Sequence, residues 1–188
     1  MAHPLRAGLC EDGVWIRAAI TKEQDRHELH ENQAVVRGFM SERYLDDIRA
    51  GDRYRSADYT VTEGEIIDYA RRYDPQPFHT DPVAARESIF GGLVASGWHT
   101  AAITMRLIAQ SEVRIAGGSI GLGLEELRWL RPVRPGDTLH VEVEVLEARP
   151  SRSHPDRGIV RFRNTTRNQT GEIVQTMVTA LYVPRRGP

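Results

Sequence analysis

The second half of the chain alternates between apolar and polar positions as an antiparallel sheet requires. In "HVEVEVLEA" and "VRFRNTTRN" the alternation is clean, which predicts strands with one buried face and one face in water. Turn sequences such as "RPGD" and "NQTG" separate the candidate segments. The pattern therefore predicts four strands, in "GSIGLGLEELRWLRPV", "DTLHVEVEVLEARP", "GIVRFRNTTRNQ" and "EIVQTMVTALYV".

Ahead of these strands the pattern indicates one more strand, followed by a helix. "DRYRSADYTVT" alternates and is rich in Tyr, Val and Thr, so it predicts a strand. In "TEGEIIDYARRY", Thr62 and Glu65 have the spacing of a capping box ahead of an apolar helical face. This helix should end near Tyr73, because Asp74 precedes Pro75 and is excluded from the α region.

Two further helices are predicted before the four strands. "DPVAARESIFGG" places Pro82 at the first position of a short helix and glycines at its end. "VASGWHTAAITMRLIAQSEV" is the longest apolar segment of helical character, and we expect Ser96 to cap it. One strand, then helices, then four strands indicate an α+β fold in which a curved sheet lies against a central helix.

Residues 1–39 differ from the remainder of the chain. They are polar, carry three of the seven histidines and show no sustained periodicity. We expect an N-terminal extension, partly disordered or with one loose helix around "TKEQDRHELHENQAVV". Met40 is an equally good candidate for the start of translation. Residues 40–188 are predicted to form a single domain.

Composition narrows the classes of function. The chain has 188 residues and a formal net charge of −1, which offers no general field for nucleic acid or an anionic membrane. Cys10 is the only cysteine, so neither an internal disulfide nor a cysteine metal cluster can form. No apolar run has the length of a membrane span, and the N-terminus lacks the apolar core of a secretory signal. These features predict a cytoplasmic protein.

The segment "DPQPFHTD" is the first candidate for chemistry. Pro75 and Pro77 restrict the loop, so Asp74 and His79 can be held in a set relation at low entropic cost. A carboxylate beside an imidazole suits general acid–base catalysis, because histidine titrates near neutral pH. The alternative is a helix-capping aspartate and a surface histidine.

The second candidate is the helix start in "VASGWHT". Ser96 and Gly97 precede a buried apolar helix, whose first backbone N–H groups lack partners within the helix. Those donors and the helix dipole suit a developing oxyanion or a thioester carbonyl. The alternative is an ordinary N-cap in which Gly97 allows close packing.

Taken together, the segments resemble a known family. "DPQPFHTDPVAA", "GLVASGWHTAAI" and "LRWLRPVRPGDTLHVEVEV" resemble the MaoC-like dehydratases, the (R)-specific enoyl-CoA hydratases of the hot dog fold. The family motif, Asp-x-Asn-Pro-x-His followed by an acidic or amide residue two positions on, is matched by Asp74, Pro77, His79 and Asp81. The resemblance covers about residues 43–183. It implies a curved antiparallel sheet wrapped around a long central helix.

The resemblance also implies a reaction, a hydro-lyase activity that reversibly adds water to a 2-enoyl-CoA and gives a 3-hydroxyacyl-CoA, as in fatty acid metabolism. Asp74 would hold or deprotonate the water, His79 would exchange a proton, and the Gly97 N–H would bind the thioester oxygen. No metal and no redox cofactor is expected, and the substrate would be a thioester of coenzyme A or acyl carrier protein. A homodimer or dimer-based oligomer is implied. The implied substrate-binding residues are Gln76, Phe78, Ser96 and Trp98.

Four positions depart from the family pattern. Gln76 stands where the family has asparagine, and Ser96 replaces a histidine common before the glycine. Thr104 and Met105 occur where some hydratases carry a polar side chain facing the pocket. Two other functions therefore stay open: an acyl-CoA thioesterase, and a non-catalytic acyl-thioester-binding subunit.

The other candidate residues do not favour a metal site or a nucleic-acid surface. His79, Asp81 and His99 lack the spacing of a metal site, so no metal is predicted and His99 is expected to line or back the pocket. Trp98 and Trp129 are expected in the core. Two arginines of "RPVRPGD" could meet the phosphates of coenzyme A or lie in a solvated loop. A solvated strand face is expected for Arg161, Arg163 and Arg167.

Overall fold

The computed structural model describes residues 42–187. A 3-10 helix at Leu45–Asp47 precedes the strands and helices of an α+β fold, which confirms the predicted fold class. The expected extension, its loose helix and Met40 lie outside the described residues. The elements are β1 (Arg53–Arg55), β2 (Tyr59–Thr60), α1 (Glu63–Tyr73), α2 (Pro77–Thr80), α3 (Pro82–Arg86), α4 (Gly97–Ala109), β3 (Ile120–Trp129), β4 (Thr138–Pro150), β5 (Arg157–Arg167) and β6 (Ile173–Pro184).

The four strands predicted in the second half are present and form an antiparallel sheet. Its order is β1-β4-β5-β6-β3, and β2 also pairs with β4. The predicted strand in "DRYRSADYTVT" is divided into β1 and β2. Ser56 explains the division, because its buried hydroxyl accepts from the Val141 N–H at 2.9 Å and so replaces a backbone partner in the ladder.

The core lies between α4 and one face of the sheet. Along β4 the buried positions alternate, as the sequence predicts, and valines such as Val141 and Val143 are at most 1% exposed. Ile103 and Leu107 of α4 belong to the same buried cluster. The helix is therefore held by burial of its apolar face, which contributes about 1.5–3 kcal/mol for each fully buried large aliphatic side chain.

The other face of the sheet is charged, as expected for the three arginines of β5. Arg161, Arg163 and Arg167 form ion pairs with Glu125, Glu144 and Glu142 respectively. These pairs are exposed and contribute little to stability. Because each of these arginines is paired with a glutamate, they form no continuous positively charged stripe.

Strand β3 forms one edge of the sheet. Within residues 42–187 it pairs only with β6. Its apolar side chains are largely in solvent, with Ile120 61%, Leu122 44% and Leu124 52% exposed. A ten-residue apolar edge is a surface that proteins normally cover.

No helix between residues 42 and 187 combines the length and the hydropathy needed to cross a bilayer.

Candidate active site

The position of Asp74 follows from the sequence around α1. Thr62 and Glu65 form the predicted capping box, and the helix ends at Tyr73. Asp74 is the C-cap, with φ −153° and ψ 69°, and Pro75 prevents the helix from continuing. The carboxylate therefore leaves the helix at its last turn and turns toward the N-terminus of α4.

Two donors hold the Asp74 carboxylate. The Ser96 hydroxyl donates to Oδ2 at 2.6 Å, and the Gln76 amide donates to Oδ1 at 2.9 Å. The bond from Ser96, the bond from Gln76 and nearby His79 lower the pKa of Asp74 below its ordinary value, although burial opposes them. The longer side chain of Gln76 thus still reaches the carboxylate, and Asp74 is ionised at neutral pH.

The imidazole of His79 faces the same carboxylate. His79 is buried, and its Nδ1 lies 2.8 Å from the Val94 carbonyl oxygen, which can only accept. The proton of the neutral ring is therefore on Nδ1, and Nε2 carries a lone pair. Nε2 is 3.5 Å from Asp74 Oδ2. The Phe78 ring packs edge-to-face against the His79 ring, with centroids 4.5 Å apart, and helps to fix its orientation.

The N-terminus of α4 completes the arrangement. The Ser96 hydroxyl accepts from the Trp98 N–H at 3.2 Å, which confirms the predicted cap. No group within residues 42–187 accepts a hydrogen bond from the Gly97 N–H. Ser96 also donates to Asp74, so the free N–H of Gly97 belongs to the residue next to the one that holds the carboxylate.

The indole of Trp129 lies directly against Gly97. A Cβ at position 97 would be 2.6 Å from Trp129 Cε2, so only glycine fits. Trp129 is itself fixed, since its Nε1–H donates to the buried Gln175 Oε1 at 3.0 Å and Gln175 donates to Thr104 at 3.0 Å. Gly97 is therefore needed for close packing, which was the alternative interpretation, and the same packing leaves its N–H available.

A cleft of about 410 Å³ lies beside these groups. Asp74, Gln76 and Ser96 are not among its lining residues, and Asp74 lies behind His79, 3.5 Å from its Nε2. Arg131 also reaches it and pairs with Glu172 at 3.3 Å. The residues that line the cleft are Phe78, His79, Phe90, Val94, Ala95, Gly97, Thr100, Trp129, Leu130, Arg131, Pro132 and Val133.

Two predictions about tryptophans are wrong. Trp98 is 56% exposed and Trp129 is 45% exposed, so neither is a core residue. Trp98 lies outside the cleft lining and contacts Trp129 edge-to-face at 5.4 Å. The reason is tertiary: Trp129 ends the edge strand, and Trp98, in the first turn of α4, packs against it at the surface.

Trp129 is the residue of the site that sequence reasoning missed. A signal existed in β6, where the polar Gln175 occupies a buried position. His99 backs the site without lining the cleft, because it is buried and stacks on Tyr69 with centroids 4.6 Å apart. Burial lowers the pKa of His99. Across residues 42–187, no three His, Cys, Asp or Glu side chains are grouped to hold a metal.

Comparison with known proteins identifies the family of the chain. The sequence profile described as "MaoC like domain" matches residues 48–168. The chain belongs to the MaoC-like family. It is 30% identical over 125 residues to the uncharacterized protein YdeM of Bacillus subtilis, covering 66% of this chain and 87% of YdeM.

Solved structures of the MaoC-like family share the fold. A MaoC-like dehydratase from Rhodospirillum rubrum superposes with a TM-score of 0.74 at 52% identity, covering 78% of this chain and 99% of that one. The R-hydratase PhaJ1 from Pseudomonas aeruginosa gives a TM-score of 0.64 at 28% identity, with 76% of this chain and 86% of that one covered. These likenesses confirm the hot dog fold and a hydratase or dehydratase family.

Proposed function

We propose that this MaoC-like protein is a hydro-lyase that reversibly adds water to a 2-enoyl thioester and gives a 3-hydroxyacyl thioester. The observation that carries the proposal is that His79 and Gly97 line one cleft while Asp74 lies 3.5 Å from His79 and is bound by Ser96, the residue before Gly97. The names of the R. rubrum dehydratase and the PhaJ1 hydratase support the reaction class. Coenzyme A and acyl carrier protein are both suitable thiol carriers.

Asp74 and His79 present two acceptors to one water. When the imidazole of His79 is in its neutral form, the ionised Asp74 Oδ2 and the His79 Nε2 lone pair, 3.5 Å apart, have no proton between them. A water that donates one O–H to each would satisfy both. As its oxygen bonds to C3 of the enoyl group, its proton passes to one acceptor, and that acceptor then delivers the proton to C2. The net change is addition of H and OH across the double bond.

Gly97 would stabilise the charge that develops in this step. Attack at C3 moves electrons to the thioester oxygen and forms an enolate. The free Gly97 N–H at the start of the 13-residue α4 offers a donor and the positive end of a helix dipole to that oxygen. Such a donor acts more strongly on the enolate than on the neutral carbonyl, which is the condition for catalysis.

We also propose that the protein forms a homodimer through β3. The exposed Ile120, Leu122 and Leu124 on an edge strand support this assembly. Pairing two β3 edges would extend the sheet and remove those side chains from water. The interface would lie beside Trp129 and thus beside the cleft.

The dyad is tested by loss of absorbance of the enoyl group over a panel of acyl chain lengths. Asp74→Asn and His79→Gln should each lower turnover by about 10²–10⁴-fold, the usual size of general acid–base catalysis. Asp68→Asn and His154→Gln are matched controls, because both side chains are exposed. Circular dichroism and melting temperature check that the variants fold.

Other outcomes would identify the alternatives. Wild-type turnover in either dyad variant would refute the assignment. Release of free thiol with the double bond unchanged would indicate a thioesterase, while acyl-CoA binding with no turnover would indicate a binding subunit.

A further inference from the structure

A second cavity, of about 370 Å³, lies at the C-terminal half of α4. Met105 and Ile108 of the helix line it, together with Phe162 of β5 and Leu181 of β6. None of its lining residues lines the cleft that holds His79. Its walls are mainly apolar, as in a site for an acyl chain.

Two buried polar side chains, Asn164 and Thr179, interrupt the apolar lining. Asn164 is 1% exposed, and its Nδ2–H donates to the Thr179 hydroxyl at 3.2 Å. Within residues 42–187, no group donates to Asn164 Oδ1. A buried amide oxygen without a partner costs free energy, so its location on a cavity wall indicates that it is satisfied by what enters the cavity.

The amide selects a neutral hydroxyl over a charged group. Turning the amide about its terminal bond exchanges Oδ1 and Nδ2, yet one atom still lacks a partner, because the Thr179 hydroxyl can either accept or donate. A ligand hydroxyl satisfies both orientations. A ligand carboxylate or ammonium is disfavoured, because the lining carries one negative residue, Glu42, and one positive residue, Arg114, and so has no net charge to pair with it.

One face of α4 runs from the cleft to this cavity, because Gly97 lines the cleft and Met105 lines the cavity. Gly97, Ala101, Met105 and Ile108 are spaced at helical intervals along it, and none of them is among the fully buried residues. From Gly97 to Met105 the helix rises about 12 Å, the length of about ten extended carbon–carbon bonds. A medium-length chain whose thioester lies at Gly97 would therefore end beside Met105, in the cavity that Asn164 also lines.

We propose that the substrate is a medium-chain acyl thioester with a hydroxyl near the far end of its chain, and that Asn164 recognises this hydroxyl. The proposal rests on the proposed function for the location of the thioester at Gly97. It makes Asn164 a specificity-determining residue, remote from the reacting atoms.

Binding of saturated thioesters tests the inference without requiring turnover. We compare decanoyl-CoA with ω-hydroxydecanoyl-CoA by isothermal titration calorimetry, and extend the pairs to octanoyl and dodecanoyl chains. For at least one length the hydroxylated ester should bind about tenfold more tightly, since it satisfies the buried amide. Asn164→Leu, of similar size, should abolish or reverse the preference, whereas Met105→Leu in the same cavity should retain it.

Each outcome has a definite meaning. Equal or weaker binding of the hydroxylated ester to the wild type at every length overturns the inference, as does an unchanged preference in a folded Asn164→Leu. A preference for the hydroxylated ester in a protein that does not hydrate enoyl-CoA supports the Asn164 assignment and removes only the proposed reaction. Hydration of enoyl-CoA without a preference for the hydroxylated ester supports the proposed reaction and removes the Asn164 assignment.

Discussion

Ser96 connects the stability of the fold with the ionisation of Asp74. Its hydroxyl is fully buried, donates to Asp74 Oδ2 at 2.6 Å and accepts from the Trp98 N–H at 3.2 Å. The Ser96 hydroxyl thus uses its proton in one hydrogen bond and a lone pair in the other. Ser96→Ala removes both bonds, and Ser96→Gly removes the bond to Asp74 while retaining most of the capping preference.

The cost of these changes can be calculated from the two bonds. A hydrogen bond to a charged group contributes about 1.5–3 kcal/mol to the free energy of unfolding. Loss of the cap adds about 1 kcal/mol for alanine and only a few tenths for glycine. We therefore expect Ser96→Ala to lower the free energy of unfolding by about 2.5–4 kcal/mol, and Ser96→Gly by less.

A double-mutant cycle separates the bond to Asp74 from the cap. Urea unfolding at pH 7 is measured for the wild type, Ser96→Ala, Asp74→Ala and the double variant. In the Asp74→Ala background, Ser96→Ala should cost only the cap, so the coupling energy should be about 1.5–3 kcal/mol. A coupling below about 0.5 kcal/mol would refute the reasoning.

The same bond predicts a pH dependence with a definite sign. Ser96 lowers the pKa of Asp74 in the folded protein, so its stabilisation is fully present above the unfolded pKa of about 3.9. That stabilisation is lost as the pH falls through the lowered folded value. The stability difference between wild type and Ser96→Ala should therefore shrink below about pH 4, and a difference constant from pH 7 to pH 3 would contradict the assignment.

Two further predictions concern Gly97 and β3. Gly97→Ala should lower the free energy of unfolding by about 1–3 kcal/mol, because the new methyl group meets a Trp129 ring held by Gln175; Gly64→Ala in α1, where a Cβ meets nothing within 4 Å, should be neutral or stabilising, and equal effects in thermal unfolding would contradict this. Leu124→Glu should convert the proposed dimer to a monomer in sedimentation, whereas Val83→Glu, at a position that is 70% exposed on α3, should not. A wild type that sediments as a monomer would contradict the proposed dimer.

Local chemistry made several features predictable from the sequence. The capping box of Thr62 and Glu65 sets where α1 begins, and Pro75 sets where it ends, so Asp74 was located by its neighbours alone. The alternation of β4 likewise predicted its buried face. These signals depend on residues a few positions apart.

Features that depend on distant partners were not predictable. Ser56 divides a predicted strand because its hydroxyl meets Val141, which is 85 residues away. Trp129 lies against Gly97 because β3 is at the sheet edge and Gln175, 46 residues on, holds its indole. No pattern within β3 itself indicates that Trp129 contacts Gly97 or Gln175.

The sequence by itself thus determined most of the longer elements, the α+β class and the two candidate groups Asp74 and His79, because propensity, capping and periodicity act over short separations. Tertiary structure alone decided how those groups are set. Ser96 reaches Asp74 across 22 residues, and the Val94 carbonyl selects the His79 tautomer. The ionisation and proton position on which chemistry depends come from such long-range contacts, since a pKa and a tautomer respond to whatever lies nearest in space.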